Sequence, residues 1–316
     1  MKKTFIAIIS FLALIAASCS TGQKSQKRHH NDSTTLRLAL MPTIDCLPFY
    51  VAADCGIYDS LGLDVEILPY RSLADCDTAF MRNHANCSVT DLIYALRNAD
   101  TTDIRLIMQT ESQWQIVTNR TARLRTTGDL KERVVAIARH SATDFLSDEF
   151  MKGTKLTHDD IFRPQVADVV LRSQMLVEGQ IDAAILPEPY ATRAVLLNNP
   201  SVYNSSAMEF SLTAIAARQS YASSHTKQLR QLIMGYNIAV ERINKTHGEG
   251  RLLHDILVTR TLMEPEVADT MHIRSFKSAR SVSTDALQHV HKWGKDNNLR
   301  MKSEKLGSIV NSDFLN

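Results

Sequence analysis

The chain has 316 residues, of which 44% are hydrophobic, 22% charged and 6% aromatic, with 11 glycines and 8 prolines; this globular composition excludes a disordered, collagen-like or low-complexity polymer. At that length one hydrophobic core is near its upper size, so two domains are expected. Lys and Arg number 36 against 34 Asp and Glu, a formal charge of +2, which lacks the basic excess of a nucleic-acid binder.

Lys2 and Lys3 precede an apolar run at 5–17 that is too short to span a bilayer comfortably and is followed at once by polar residues. It reads as a processing signal over residues 1–18. The run ends Leu14-Ile15-Ala16-Ala17-Ser18-Cys19, which resembles the lipobox of bacterial lipoproteins, with Ala16 where that family most often has Leu. The resemblance implies that Cys19 becomes the acylated (palmitate-type) first residue of the mature chain and anchors it to a membrane of the cell envelope, the folded part lying outside the cytoplasmic membrane. An ordinary signal peptide with a coincidental cysteine is the competing reading. Loss of Lys2 and Lys3 leaves 34 basic against 34 acidic residues. Residues 19–35 are polar and locally basic (Lys24, Lys27, Arg28, His29, His30), a flexible tether. The pair His29-His30 has no further ligand nearby, so no metal site is assigned to it.

Beyond residue 36, short apolar runs alternate with helical patterns. Residues 36–41 read as a strand, and 48–55 as a helix with Pro48 in its first turn and Gly56 just past its end. A second strand covers 63–68; Ser72 and Asp75 open a helix over 73–82 as a capping box. Strands follow at 87–90 and 104–108, with 92–98 helical between them. This β-α-β-α-β order implies a doubly wound, mainly parallel sheet whose ligands sit beyond the carboxyl ends of the strands. A second unit repeats the plan: a strand at 134–138, Ser141 and Asp144 opening a helix over 145–152 ahead of Gly153, a further strand at 165–169, a helix over 170–178 stopped by Gly179, and a strand at 181–186 running into Pro187-Glu188-Pro189. After Ala217 the chain turns helical: Leu229, Leu232, Ile233, Tyr236, Ala239, Val240 and Ile243 fall on one face across 224–245. Helices are also expected over 251–262, 264–271 and 284–297. Cys46, Cys55, Cys76 and Cys87 cluster in the first third of this domain at spacings matching no zinc pattern. One or two disulfides and buried free thiols are both open, with three possible connectivities.

The segments 36–41, 47–58 (Leu-Pro-Phe-Tyr-Val-Ala-Ala-Asp-Cys-Gly-Ile-Tyr), 61–66, 72–80 and 176–191 (Leu-Val-Glu-Gly-Gln-Ile-Asp-Ala-Ala-Ile-Leu-Pro-Glu-Pro-Tyr-Ala), with Trp293-Gly294 and 311–315 at the end, resemble the solute-binding proteins of ABC importers. The nearest branch carries nitrate, sulfonates, taurine and the thiamine pyrimidine. The resemblance implies a two-lobed type 2 periplasmic-binding-protein fold with C-terminal helices, lobe 1 formed by 36–118 and 218–316, lobe 2 by 119–217, and a small-molecule ligand trapped between them. It also implies a monomer that delivers solute to permease and ATPase subunits, without a cofactor. One departure is local: where the family commonly has Gly before the third strand, this chain reads Arg82-Asn-His-Ala-Asn-Cys87, so Asn83 or Asn86 must supply the left-handed turn residue.

The same resemblance reaches enzymes, the eukaryotic pyrimidine synthase of thiamine biosynthesis and menaquinone-pathway enzymes, but the synthase's C-C-C-F-C run is absent here. No G-x-S-x-G elbow, Walker A loop, Rossmann glycine fingerprint or H-E-x-x-H occurs. Ser141 reads as a helix cap rather than a nucleophile beside His140 or Asp144. A lipoprotein serving as sensor or scaffold is a further alternative. For a binder, the expected contacts are Thr43, Asp45, Phe49, Ser72, Thr90, Trp114, Ser141, Thr143 and Glu188, on loops after strands, with helix N-termini at Pro48, Ser72, Ser141 and Pro189 offering unpaired N–H groups. Capping alone is the competing role for Ser72 and Ser141, and core packing for Phe49 and Trp114. Asp45, Asp91 and Glu188 are too many acids for a bare anion such as nitrate. A zwitterion or an amino-bearing heteroaromatic stacked on Trp114 or Phe49 fits better, although Asp91 alone reads as a solvent-facing acid.

Overall fold

A computed structural model describes residues 35–301 and 306–315. Cys19, the signal and most of the tether lie outside the described residues. Two sheets organise the chain. The first has the order β2-β1-β3-β9-β4, built from β1 (Leu36–Leu40), β2 (Val65–Pro69), β3 (Cys87–Asp91), β4 (Ile104–Gln109) and β9 (Thr213–Arg218). The second has the order β6-β7-β5-β8, from β5 (Trp114–Thr118), β6 (Val135–Ala136), β7 (Ala183–Pro187) and β8 (Ser201–Asn204). β1 pairs parallel with β2 and β3, while β9 runs antiparallel between β3 and β4. β6 and β7 are parallel, and β5 is antiparallel to both β7 and β8. Each sheet is therefore parallel in direction except for one strand, and those two strands, β5 and β9, are the ones entered on crossing between lobes.

That sheet membership shifts the expected lobe limits. β5 belongs to the second sheet and β9 to the first, so limits at 118 and 217 fall at the far ends of these strands rather than ahead of them; the crossings lie at 110–113 and 205–212. The run 165–169 supplies a single bridge, Gln165 to Ile137, rather than a strand. β5, β8 and β9 have no strand reading in the sequence, although Asn198-Asn199-Pro200 marks a turn directly before β8.

Helices cover both faces of the first sheet. On one, α1 (Leu47–Asp54) packs beneath α9 (Thr226–Lys245) and α10 (Arg251–Thr261), with the Phe49 and Tyr236 rings 4.9 Å apart. All seven apolar positions read in α9 are buried. On the other face, α4 (Leu92–Asn98) meets α12 (Thr284–Asp296), and α3 (Leu73–Met81) lies against β3. In the second lobe, α5 (Ala142–Met151) and α6 (Val169–Val177) pack on β7, and α7 (Tyr190–Leu196) on β5 and β7. Asn83 takes the left-handed conformation (φ 59°) at the turn before β3, and Asn86 accepts the Arg37 backbone N–H at 2.8 Å, so the sequence that lacks the family's glycine still turns. Cys46, Cys55, Cys76 and Cys87 are all free thiols.

Candidate functional site

The carboxyl ends of β1, β3 and β6 face one another across the lobes, the position at which a doubly wound sheet receives ligands. Two cavities lie there. One, of 330 Å³, sits on the α1 side and is lined by Asp45, Glu111, Gln115, Glu188, His272 and Arg274 among others. The other, of 250 Å³, sits on the α3 and α4 side, between Met41, Asp77, Asp91 and Tyr94 of the first lobe and Trp114, Ser141, Thr143 and Arg172 of the second.

The α1-side chamber is built over the crossings. Asp45 is buried, and its Oδ2 lies 3.4 Å and 3.2 Å from the hydroxyls of Thr110 and Thr213, one from each crossing segment or its edge; burial raises its carboxyl above the usual range. Glu188 follows β7. Its Oε1 accepts from Gln115 Nε2 at 2.7 Å and its Oε2 from the Thr192 backbone N–H at 3.1 Å, so the side chain caps α7.

The α3-side chamber holds the more perturbed groups. Asp77 on α3 is 5% exposed and accepts a 2.8 Å bond from Thr90 Oγ1; burial, then the negative charge of Asp91, push its carboxyl well above the ordinary carboxylate range. Asp91 at the end of β3 is raised to about 6 by burial, against the backbone donors that favour its charged form. Its Oδ1 accepts from Tyr94 N at 2.7 Å, capping α4, and its Oδ2 accepts from Ala142 N at 3.0 Å, across the lobes at the start of α5. The reading of Asp91 as solvent-facing is thus corrected: it is 1% exposed. On the same walls, the Tyr94 hydroxyl, Trp114 Nε1 and Arg172 Nε are buried without a partner. Such orphaned groups in a cavity wall call for a ligand or ordered water.

The expected contacts divide accordingly. Asp45 and Glu188 line the first chamber; Trp114, Ser141 and Thr143 the second. Thr90 lines neither chamber and donates to Asp77 Oδ1 at 2.8 Å. Phe49 is a core residue, wholly buried against Tyr236. Thr43 contacts Cys46 Sγ at 3.8 Å, and Ser72 accepts from Asp75 N at 3.0 Å as the cap of α3; neither lines a chamber. Ser141 likewise accepts from Thr143 N at 3.2 Å. The expectation of unpaired N–H groups fails at two helices, because Asp91 takes the first amide of α5 and Glu188 an amide of α7. Asp77, Tyr94 and Arg172 were missed: each sits inside a helical pattern, where an acid, a tyrosine or an arginine reads as surface. Among the described residues no group of three or more His, Cys, Asp or Glu could hold a metal ion, and no helix is long and apolar enough to cross a membrane.

Two lobes of mixed sheet, crossed twice by the chain and enclosing two chambers between strand ends, define the type 2 periplasmic-binding-protein fold. The chain belongs to the NMT1/THI5-like family, whose family model matches residues 43–241. Its structure is similar to the alkanesulfonate-binding protein SsuA from Xanthomonas axonopodis pv. citri bound to MOPS (TM-score 0.76, 15% identity, covering 88% of this chain and 98% of that one). It is also similar to the periplasmic nitrate-binding protein NrtA from Synechocystis PCC 6803 (TM-score 0.71, 12% identity, 89% and 87% covered) and to the desulfurization enzyme DSZB (TM-score 0.67, 12% identity, 89% and 97% covered). No curated protein sequence matches the chain.

Proposed function

We propose that the chain is the solute-binding component of an ABC importer and traps a small amino-bearing zwitterion or heteroaromatic between its lobes. The observation that carries this reading is the α3-side chamber. It brings the buried Asp77 carboxyl, pushed well above the ordinary carboxylate range, into one lining with the unpartnered Trp114 Nε1, Tyr94 hydroxyl and Arg172 Nε. An amino group donates to Asp77, ring or carboxylate acceptors meet the three unpartnered groups, and the Trp114 indole offers an aromatic face. The likeness in fold to SsuA and NrtA supports import, and the MOPS bound to SsuA is itself a nitrogen-bearing zwitterion. A non-enzyme reading accords with a cleft in which the acids serve as caps and acceptors and Ser141 is engaged at a helix start. The proposal extends to an acylated Cys19 that tethers the domain, outside the cytoplasmic membrane, beside permease and ATPase subunits; membrane fractionation of the chain and its Cys19→Ala variant reads that part.

A thermal-shift panel of 4-aminopyrimidine-type compounds, taurine, alkanesulfonates and nitrate tests the ligand class, since a ligand that binds only the folded state must raise Tm. The amino-bearing compounds are expected to raise it, and Trp114→Ala to remove about tenfold or more of the affinity. A shift with nitrate alone would sink the reading.

A further inference from the structure

The N-terminus of a helix presents four amide N–H groups without partners inside the helix and roughly half a positive charge, so it is a ready seat for an anion. α5, ten residues long, opens onto the α3-side chamber through Ser141 and Thr143. All of its first amides are already engaged. Ala142 N donates to Asp91 Oδ2 at 3.0 Å, Thr143 N to Ser141 Oγ at 3.2 Å, and Asp144 N and Phe145 N to the Ser141 carbonyl at 3.0 and 3.1 Å. The loop before it is equally occupied, with Ala138 N on Thr143 Oγ1 at 2.8 Å and His140 N on Asp144 Oδ2 at 2.7 Å. The one acceptor that comes from the other lobe is Asp91.

We infer that Asp91 is a resident anion seated on the α5 N-terminus, and that it makes the cleft selective against bare anions while joining the two lobes at that point. This rests on the reading of the cleft as a solute site. A solute oxyanion could reach Ala142 N only by displacing Asp91, whose other oxygen holds the start of α4 at 2.7 Å through Tyr94 N. The displaced carboxylate would lose a backbone donor that favours its charged form while staying buried beside the Asp77 carboxyl. A second observation points to where a solute does bind. Trp114 (5% exposed) and Arg172 (2% exposed) line the same chamber and carry polar atoms with no partner. Solute acceptors therefore go to these two side chains and a solute amino group to Asp77. An anion without an amino group leaves the buried Asp77 carboxyl without a solute donor, although Arg97, Arg139 and Arg172 share its lining.

Sodium methanesulfonate is the probe, used on the full chain and on Asp91→Ser, because serine keeps a good N-cap for α4 yet withdraws the carboxylate from Ala142 N. By calorimetric titration, D91S is expected to bind methanesulfonate about tenfold or more tighter than the parent chain, the scale of one charge-assisted hydrogen bond. Equal affinity in the two proteins overturns the inference. Should D91S fail to fold, the parent chain still decides: its Ala142 amide resonance is expected to stay in place as methanesulfonate is added, and a saturable movement overturns the inference. The two readings fail separately. A parent chain that binds no amino-bearing probe removes the proposed ligand class without touching the Ala142 result, and a parent chain that binds one while Ala142 moves with methanesulfonate removes only the Asp91 plug.

Discussion

Asp77 and Asp91 show how burial converts two ordinary acids into cleft groups. Both carboxyls are raised, Asp91 to about 6, chiefly because each is withdrawn from water. A raised carboxyl binds its proton more tightly in the folded chain than in the unfolded one. Its contribution to stability is therefore fully present below the unfolded value near 3.8 and lost as pH rises through the folded value, for Asp91 between about 4 and about 6. Asp77→Asn removes that cost while leaving an oxygen to accept from Thr90. It is expected to raise Tm at pH 7 by about 2–4 °C for each kcal/mol relieved, with the gain over the parent shrinking as the buffer is acidified. The same variant should lose about tenfold or more of the affinity for an aminopyrimidine. Thermal melts at several pH values and titration of the probe check both halves; a lower Tm at pH 7 would contradict the buried-charge account.

At the scale of elements, α9 illustrates what a helical stripe does and does not disclose. Its seven apolar positions were legible from spacing, yet Gly235, between Leu232 and Tyr236, reads in sequence only as a weak helix former. In the fold it is the point of closest approach: a Cβ there would lie 2.4 Å from Tyr58 Cε1 and 2.6 Å from Cδ1, and the Tyr58 ring, on α2 (Ile57–Ser60), is itself buried. Gly235→Ala gains about 1 kcal/mol of helix propensity but overpacks a rigid ring at about 1–3 kcal/mol. The central net cost of about 1 kcal/mol predicts a lower Tm, by about 2–4 °C, in thermal denaturation. A rise in Tm would mean that α2 shifts freely on α9. The closing helix α12 is the counterpart between lobes: Trp293 Nε1 donates to Asp148 Oδ2 at 2.7 Å and the Trp293 ring meets Phe145 edge-on at 5.5 Å, fastening α5 to the first lobe's α4 side.

For the whole molecule, several hydrogen bonds and ion pairs join the two lobes. Besides Asp91 on Ala142 N, the Ile44 amide donates to the Glu188 carbonyl at 3.0 Å and Val169 N to the Arg71 carbonyl at 2.9 Å. Arg71 pairs with Asp168 at 2.9 Å and Arg193 with Glu264 at 2.6 Å. The ion pairs lie at the rim, half-exposed, and contribute under about 1 kcal/mol each after screening. Removing both through Arg71→Ala and Arg193→Ala is expected to shift the balance between closed and open lobes by about tenfold, seen as a larger radius of gyration in solution scattering, with saturating amino-bearing probe restoring the smaller value. A solute can do this only by binding the closed state more tightly. An unchanged radius in the double variant would remove the rim pairs from the closing mechanism.

The sequence by itself determined the α/β class, the two units, most helices to within a few residues and the family, because capping residues, stop glycines and apolar periodicity are local signals. It also put Trp114, Ser141, Thr143, Asp45 and Glu188 near strand ends, and these five line the two chambers. Only the tertiary structure decided which of these share a chamber, that Phe49 is core, and that β5 and β9 exchange sheets, because strand pairing joins segments about a hundred residues apart with no local mark. The roles of Asp77, Arg172 and Asp91 were likewise illegible: a charged residue in a helix or at a strand end reads as solvated until the opposite lobe covers it, and it is that covering that raises the carboxyls, orphans the donors and seats Asp91 on α5.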